Sequence, residues 1–289
     1  MKFTERLKTG KKVYSFEFYP PKTAEDTAKL FTNAVELLKL SPDFVSVTNS
    51  SSGVTPYRTV ALCGVLKAQF GLEVVAHLTC LAHTRTEIAE ILSGLKKMEI
   101  TNVLALRGDP HNVEAGARRR DYNYAAQLIA DLKAAGGFAI GGACYPEKHP
   151  EAPGLEADIA RLKEKVDAGA EYLITQLFFD NDCYFRFLEK TAAAGINVPV
   201  LPGLMPVTSY KQMQNFTKLM KVCIPEALRA GIERWEGDKD GMFKFSVEYA
   251  SAQAEALLKG GAPGLHLYTL NRSRAAMAIL KNVKGEALK

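Results

Sequence analysis

Eight short runs of β-branched and apolar residues recur along this chain at steps of roughly 30 residues, the length of one βα unit. The runs are Val13–Phe18, Phe44–Thr48, Val74–Thr79, Val103–Leu106, Phe138–Cys144, Tyr172–Gln176, Val200–Leu204 and Leu265–Thr269. Between them lie stretches with helical apolar spacing: Thr23–Leu40, Arg85–Met98, Tyr122–Ala135, Leu155–Ala168, Asp182–Ala194 and Ser209–Met220. Strands joined through helices run parallel and need covering on both faces. Eight such units in 289 residues predict an α/β fold of the (β/α)8 TIM-barrel type. The last step is about twice as long as the others. Its extra residues, Ile224–Lys259, read as two added helices, Glu226–Trp235 and Phe243–Leu258, between strands seven and eight. A doubly wound sheet is the rival, weakened because no GxGxxG follows the first strand.

Composition narrows the function class. With 47% hydrophobic and 24% charged residues, the chain carries enough apolar surface to offset the entropy of ordering, which excludes a disordered tail. No window approaches the ~20 apolar residues of a spanning helix. Met1–Lys12 lacks an apolar signal core, so the expected location is the cytoplasm. The net charge of +5 is scattered, and the Arg118-Arg119-Arg120 cluster in the loop Pro110–Asp121 reads as a solvated patch rather than a nucleic-acid contact. A mild positive bias also suits a polyanionic small molecule. Five cysteines without a CxxC predict reduced thiols, and no HExxH or comparable cluster points to a metal.

Barrel chemistry sits where strands end and βα loops begin. In strand one, Ser15 and Glu17 share a face, and Tyr14, Phe16 and Phe18 share the other. A carboxyl at Glu17, read as bracketed by Phe16 and Phe18, is poorly solvated, the setting in which a carboxyl serves as proton donor near neutral pH; a structural carboxylate is the alternative. Strand four ends in Arg107-Gly108-Asp109, where Gly108 permits close approach of a ligand and the two charged residues contact it or pair with each other. His77 in strand three reads as core. After strand five, Tyr145 and His149 sit in a proline-stiffened loop, and Asp158, Arg161 and Lys165 share one helix face, either solvated or facing ribose and phosphate. Gln176 can give a donor and an acceptor to a flat heterocycle. Gln212 and Phe216 are one turn apart, and Arg272 stands at the rim where it can clamp a carboxylate.

Taken in order, Phe16-Glu17-Phe18-Tyr19-Pro20-Pro21, Val45-Ser46-Val47-Thr48, His77-Leu78-Thr79-Cys80, Leu106-Arg107-Gly108-Asp109, Tyr145-Pro146-Glu147, His149-Pro150-Glu151-Ala152 and Tyr268-Thr269-Leu270-Asn271-Arg272 resemble methylenetetrahydrofolate reductase of the bacterial, single-domain type. The resemblance runs over the whole chain. It implies a single catalytic TIM-barrel domain over 1–289 without the regulatory domain of animal homologues. The implied reaction is FAD-dependent reduction of 5,10-methylenetetrahydrofolate to 5-methyltetrahydrofolate, a step of one-carbon metabolism leading to methionine biosynthesis. NADH or NADPH is the implied donor, with ping-pong hydride transfer through the flavin.

By that resemblance Glu17 matches the general acid, and Asp109 the carboxylate between flavin and pterin. Gln176, Gln212, Phe216 and Arg272 match folate positions, and Thr48 and Gln176 also meet the nicotinamide. Thr48, His77, Arg107, Gly108, Asp109, Tyr124 and Ala125 match flavin-contacting positions. So do Tyr145, His149, Ala152, Asp158 and Lys165, with Arg161 on the same helix face. The chain departs from the family pattern at Asn49-Ser50-Ser51-Ser52, where an aromatic and smaller residues are familiar, and at Arg161 and Glu164. The expected partners are small molecules, with no nucleic acid or membrane, and the expected assembly is a homo-oligomer. Ile224–Lys259 either packs on the barrel or forms a subunit contact. The alternative function is a folate- or flavin-binding subunit of a larger redox complex with little NAD(P)H activity alone. A flavin-free barrel lyase needs a Schiff-base lysine or a metal cluster at strand ends, and the sequence offers neither.

Overall fold

The computed structural model describes residues 3–49, 56–110 and 121–285. The expected loop residues 111–120, with their arginine triplet, and Ser50–Ser52 lie outside these. The strands are β1 (Val13–Phe18), β2 (Phe44–Val47), β3 (Val74–Thr79), β4 (Asn102–Leu106), β5 (Ala139–Cys144), β6 (Tyr172–Thr175), β7 (Val200–Leu201), β8 (Gly203–Leu204) and β9 (Gly264–Tyr268). All pair in parallel in the order β7-β6-β5-β4-β3-β2-β1-β9-β8. β7 and β8 are halves of one barrel strand interrupted at Pro202, which has no N–H to give. The first half pairs with β6 and the second with β9, while the Pro202 carbonyl accepts from His266 N at 2.9 Å. The ring of strands therefore closes, as the eightfold alternation predicts.

The helices are α1 (Phe3–Lys8), α2 (Ala24–Leu38), α3 (Pro56–Phe70), α4 (Arg85–Lys97), α5 (Ala125–Ala135), α6 (Leu155–Asp167), α7 (Asn181–Ala193), α8 (Tyr210–Met220), α9 (Glu226–Arg234), α10 (Lys239–Lys259) and α11 (Arg274–Lys284). Side-chain caps fix several starts: Thr23 accepts from Asp26 N, and Thr84 and Glu87 form a reciprocal capping box. No helix among the described residues is long and apolar enough to cross a membrane.

The period of two along each strand sorts side chains into two cores. Outward residues such as Phe16, Phe18, Val45, Val47 and Ile140 pack against the helices. Inward residues Val13, Phe44, Val75, Leu104, Tyr172 and Leu201 fill the N-terminal end of the cylinder. α1 closes that end: the Phe3 ring lies 4.3 Å from Phe44 and edge-on to Tyr172 at 4.9 Å. The Tyr172 ring fits because residue 141 is glycine, where a Cβ would stand 2.3 Å from it.

The insertion before the last strand is made differently from the expectation. α10, with Val247, Ala250, Ala254 and Leu257 in the main core, takes the layer position beside α11 and α7. The additions are α8 and α9, which form a second cluster with the ends of β6 and β8 through Leu177, Phe179, Met205, Phe216, Leu228 and Ile232. Length decides this, since α10 is the 21-residue helix and spans the barrel wall.

Candidate active site

Glu17 projects inward from β1 near its C-terminal end. Its carboxylate oxygen Oε2 lies 3.5 Å from His77 Nε2 of β3 and 3.6 Å from His266 Nε2 of β9. The sequence expectation that Phe16 and Phe18 bracket it is corrected, because both rings point into the helix layer and imidazoles stand in their place. The carboxylate keeps 19% exposure, whereas the His266 side chain has none. His266 Nδ1 is 2.8 Å from Ser15 Oγ, which also lies 3.4 Å from the Leu265 carbonyl. When that hydroxyl donates to the carbonyl, it accepts Nδ1–H from His266, so Nε2 faces Glu17 with its lone pair. Tyr268, two residues on, donates its hydroxyl to the Thr175 carbonyl at 2.6 Å across Gly203, and burial beside Glu17 raises its pKa. His77 and His266 therefore belong to the site; His77 reads as core from its own strand, and His266 escaped the sequence reading. The alternation Leu265-His266-Leu267-Tyr268, polar inward and apolar outward, is the signal that finds the second.

Burial pushes the His77 pKa down to about 4, against the opposing attraction of Glu17 and with a smaller push from His266. The ring is thus neutral in the fold and protonated more readily in the unfolded chain, so stability is full above the ordinary value near 6.5 and is lost as pH falls toward 4. The shift amounts to roughly 3 kcal/mol. In thermal melts of the apoprotein between pH 7 and pH 4, His77→Gln is expected to lose less stability on acidification than the parent. Parallel pH profiles for the two would contradict the neutral buried imidazole.

A second group surrounds the loops after β4 and β5. Arg107 donates two bonds of 2.8 Å to Glu151, so its ion pair is with Glu151 rather than Asp109, and this pairing is the main cause of its raised pKa. Gly108 has φ +90°, a backbone conformation that favours glycine, and a Cβ there would crowd Thr79 at 3.3 Å. Asp109 is exposed at the same turn. His149 donates its backbone N–H to Asp158 at 2.8 Å, and its ring packs edge-on to Tyr145 at 4.7 Å. Burial raises Tyr145 to about 12 and lowers His149. Lys165 donates to the Ala143 carbonyl at 2.8 Å, and its burial lowers its pKa. Ala152 N–H donates to the His149 carbonyl at 2.9 Å.

Of the expected helix-face trio, Asp158 and Lys165 turn toward β5. Arg161 instead pairs with Glu164 and lies 4.3 Å over the Tyr124 ring. Tyr124 precedes buried Ala125 at the start of α5. Thr48 follows β2, its carbonyl accepting from Thr59 at 3.0 Å. Gln176 stands at the end of β6, its N–H on the Cys144 carbonyl. Gln212 accepts from Thr208 at the first turn of α8, and Phe216 is buried 6.2 Å from the Phe179 ring. Arg272 is exposed on the loop after β9. That loop is tied to β1: Asn271 exchanges two 2.9 Å bonds with the Tyr19 backbone, and Thr269 donates to the Glu17 carbonyl at 2.6 Å. Asn271 and Thr269 thus hold the acid's strand in register, a role that sequence spacing does not disclose. An outer groove of about 770 Å³ between α4 and α5 contains none of the expected site residues.

Comparison with known proteins identifies the family. The family model for methylenetetrahydrofolate reductase matches residues 2–284. Relatives include the 5,10-methylenetetrahydrofolate reductases of Salmonella typhimurium, 38% identical, and Pectobacterium carotovorum, 37% identical. Each alignment covers 92% of this chain and 88% of the relative. Methylenetetrahydrofolate reductase (NADH) 1 of Arabidopsis thaliana is 34% identical over 98% of this chain, which spans 51% of that protein. Among solved structures, a Clostridium thermocellum protein that binds two copies of 5-methyl-5,6,7,8-tetrahydrofolic acid superposes with a TM-score of 0.63 at 14% identity, over 99% of this chain and 98% of that one. A 2,3-dimethylmalate lyase superposes with 0.53 at 11% identity, over 98% and 82%, and both likenesses concern the fold alone. The ordered strand-end residues, the closed barrel and the full-length family match agree, and the chain belongs to the methylenetetrahydrofolate reductase family.

Proposed function

We propose that this chain reduces 5,10-methylenetetrahydrofolate to 5-methyltetrahydrofolate at the barrel mouth, with FAD as resident cofactor, NADH or NADPH as donor, and Glu17 as general acid. The observation that carries the reading is the Glu17 carboxyl oxygen held between two histidine Nε2 atoms at 3.5 and 3.6 Å. A bound flavin supplies hydride acceptance from the nicotinamide and hydride donation to the folate.

The residues present fit such a group. Gly108 leaves its turn without a Cβ, and Arg107, His149 and Lys165 offer cationic or hydrogen-bonding groups to a diphosphate on the β4–β5 side, while Arg161 is paired with Glu164. Thr48, His77, Tyr124, Ala125, Tyr145, Ala152 and Asp158 complete the flavin contacts. Opening the folate's imidazolidine ring requires a proton at a ring nitrogen. Glu17 is placed to supply that proton from Oε2, the oxygen that lies between the His77 and His266 Nε2 atoms. His77, neutral in the fold, adds no positive charge beside the acid. Asp109 orients the pterin and Gln176 its amide edge, while Gln212, Phe216 and Arg272 hold the remainder of the folate, Arg272 by its glutamyl carboxylate.

The test is purification with FAD followed by assay of 5-methyltetrahydrofolate formation from NADH or NADPH. The expected result is a yellow protein that turns over alone. A protein that binds FAD and folate yet turns over only with a copurifying subunit would replace this reading with the redox-complex alternative.

A further inference from the structure

Lys148, in the loop after β5, has a strained backbone. Its φ is +141°, in the left-handed half of the map that favours glycine and well beyond the αL well that other residues visit. Such a conformation persists only where the surroundings over-determine it. Here both chain neighbours are pinned. The Glu147 carboxylate accepts the Cys223 backbone N–H at 2.8 Å, and the His149 backbone N–H donates to Asp158 at 2.8 Å. Pro146 and Pro150 fix φ on either side of these three residues. The half-buried Lys148 side chain folds back along the chain, its ammonium donating to the Ala152 carbonyl at 2.8 Å and reaching the His149 carbonyl at 3.5 Å. That bond closes the turn 149–152, within which the Ala152 N–H donates to the His149 carbonyl at 2.9 Å. Glycine at 148 would relieve the backbone, but it would take the ammonium away as well. The turn carries His149 and Ala152, and Asp158 holds it from α6; these three positions are flavin-contacting in the reading above, on which the inference rests. A turn closed before its ligand arrives spares the ligand the entropy of ordering it.

We propose that Lys148 is a positioning residue for the cofactor: its ammonium clasps the 149–152 turn in the shape that receives FAD, and the strain at its backbone is retained because glycine cannot supply the clasp.

The test pairs FAD titrations of the full-chain apoprotein, followed by quenching of flavin fluorescence, with thermal melts of the same apoproteins. Lys148→Met keeps an apolar stem and removes the donor. It is expected to bind FAD about five- to tenfold more weakly than the parent, the scale of ordering one turn residue on binding. Lys148→Gly is expected to lose as much affinity while its Tm stays level or rises by about 2–4 °C, because the backbone is relieved. Weaker binding without a lower Tm is a split that a merely structural lysine does not give. An FAD affinity of Lys148→Met equal to the parent's would overturn the proposal, as would a Lys148→Gly apoprotein that melts below the parent. So would an affinity loss that vanishes in about 1 M salt, where exposed charges more than ~3 Å apart are screened, since the ammonium would then act on the diphosphate through solvent. Should Lys148→Met fail to fold, Lys148→Gly decides both points. Failure of the parent itself to take up FAD would refute the flavin reading, and this assignment with it.

Discussion

Replacing Glu17 with glutamine is expected to lower folate reduction by roughly 10²–10⁴-fold while the protein still takes up FAD and still accepts electrons from NADH. The amide keeps the size of the side chain and its place between His77 and His266, so the barrel interior is not emptied. What disappears is the proton that can leave. The nicotinamide half of the cycle needs no proton from this group, so only the folate half is affected. The distinction is measured by following flavin reduction and flavin reoxidation separately in the variant. Equal losses in the two halves would mean that Glu17 holds the site together rather than donating; full folate turnover would remove it from the chemistry altogether.

The second large effect is structural. Gly264 begins the last barrel strand opposite Val13, and a Cβ there would stand 1.9 Å from the Val13 carbonyl oxygen. Backbone cannot swing aside as a side-chain tip does. Gly264→Ala must therefore part β1 from β9, the seam that carries Ser15, Glu17, His266 and Tyr268. A cost of roughly 3 kcal/mol or more is expected, at the upper end for overpacking. In a chain of this length it appears as a fall in Tm of roughly 6 °C or more, or as loss of soluble protein. Gly94→Ala is the matched control. Gly94 lies inside α4, a Cβ there would make an ordinary 3.9 Å contact with Val60, and alanine is the better helix former. Its Tm is expected to stay level or rise. A Gly264→Ala protein as stable as the parent would show that the seam has slack the geometry denies.

What the sequence disclosed followed from periodicity, and what it hid depended on contacts between strands. A period of two along Val13–Phe18 placed Ser15 and Glu17 on one face, and the structure agrees. The same rule pointed Phe16 and Phe18 away from Glu17, yet their adjacency in the chain suggested that they surround it. In a closed barrel a side chain is enclosed by residues on neighbouring strands, here His77 and His266, which are 60 and 249 positions away in sequence. α3 also escaped the helix reading, because the exposed apolar residues Tyr57, Ala61 and Ala68 lie off the buried stripe of Val60, Leu62, Cys63 and Leu66 and blur it. α1 is only six residues long, and its role as a plug appears only once the barrel's open end exists. The loop residues Arg107, Gly108 and Asp109 were legible as a strand end, but the partner of Arg107 was not. Glu151, 44 positions on, holds it through a loop whose path no local pattern specifies.

The central claim is that one flavin at this mouth serves both substrates in turn, with the chain's own acid completing the folate half. Anaerobic rapid mixing tests it most directly: the yellow band of the FAD-loaded protein is followed first with NADH or NADPH, then with 5,10-methylenetetrahydrofolate after the nicotinamide is removed. The account predicts bleaching by the nicotinamide, then full return of colour with one 5-methyltetrahydrofolate formed per flavin. Bleaching followed by no return on adding the folate, with the flavin still bound, would contradict it.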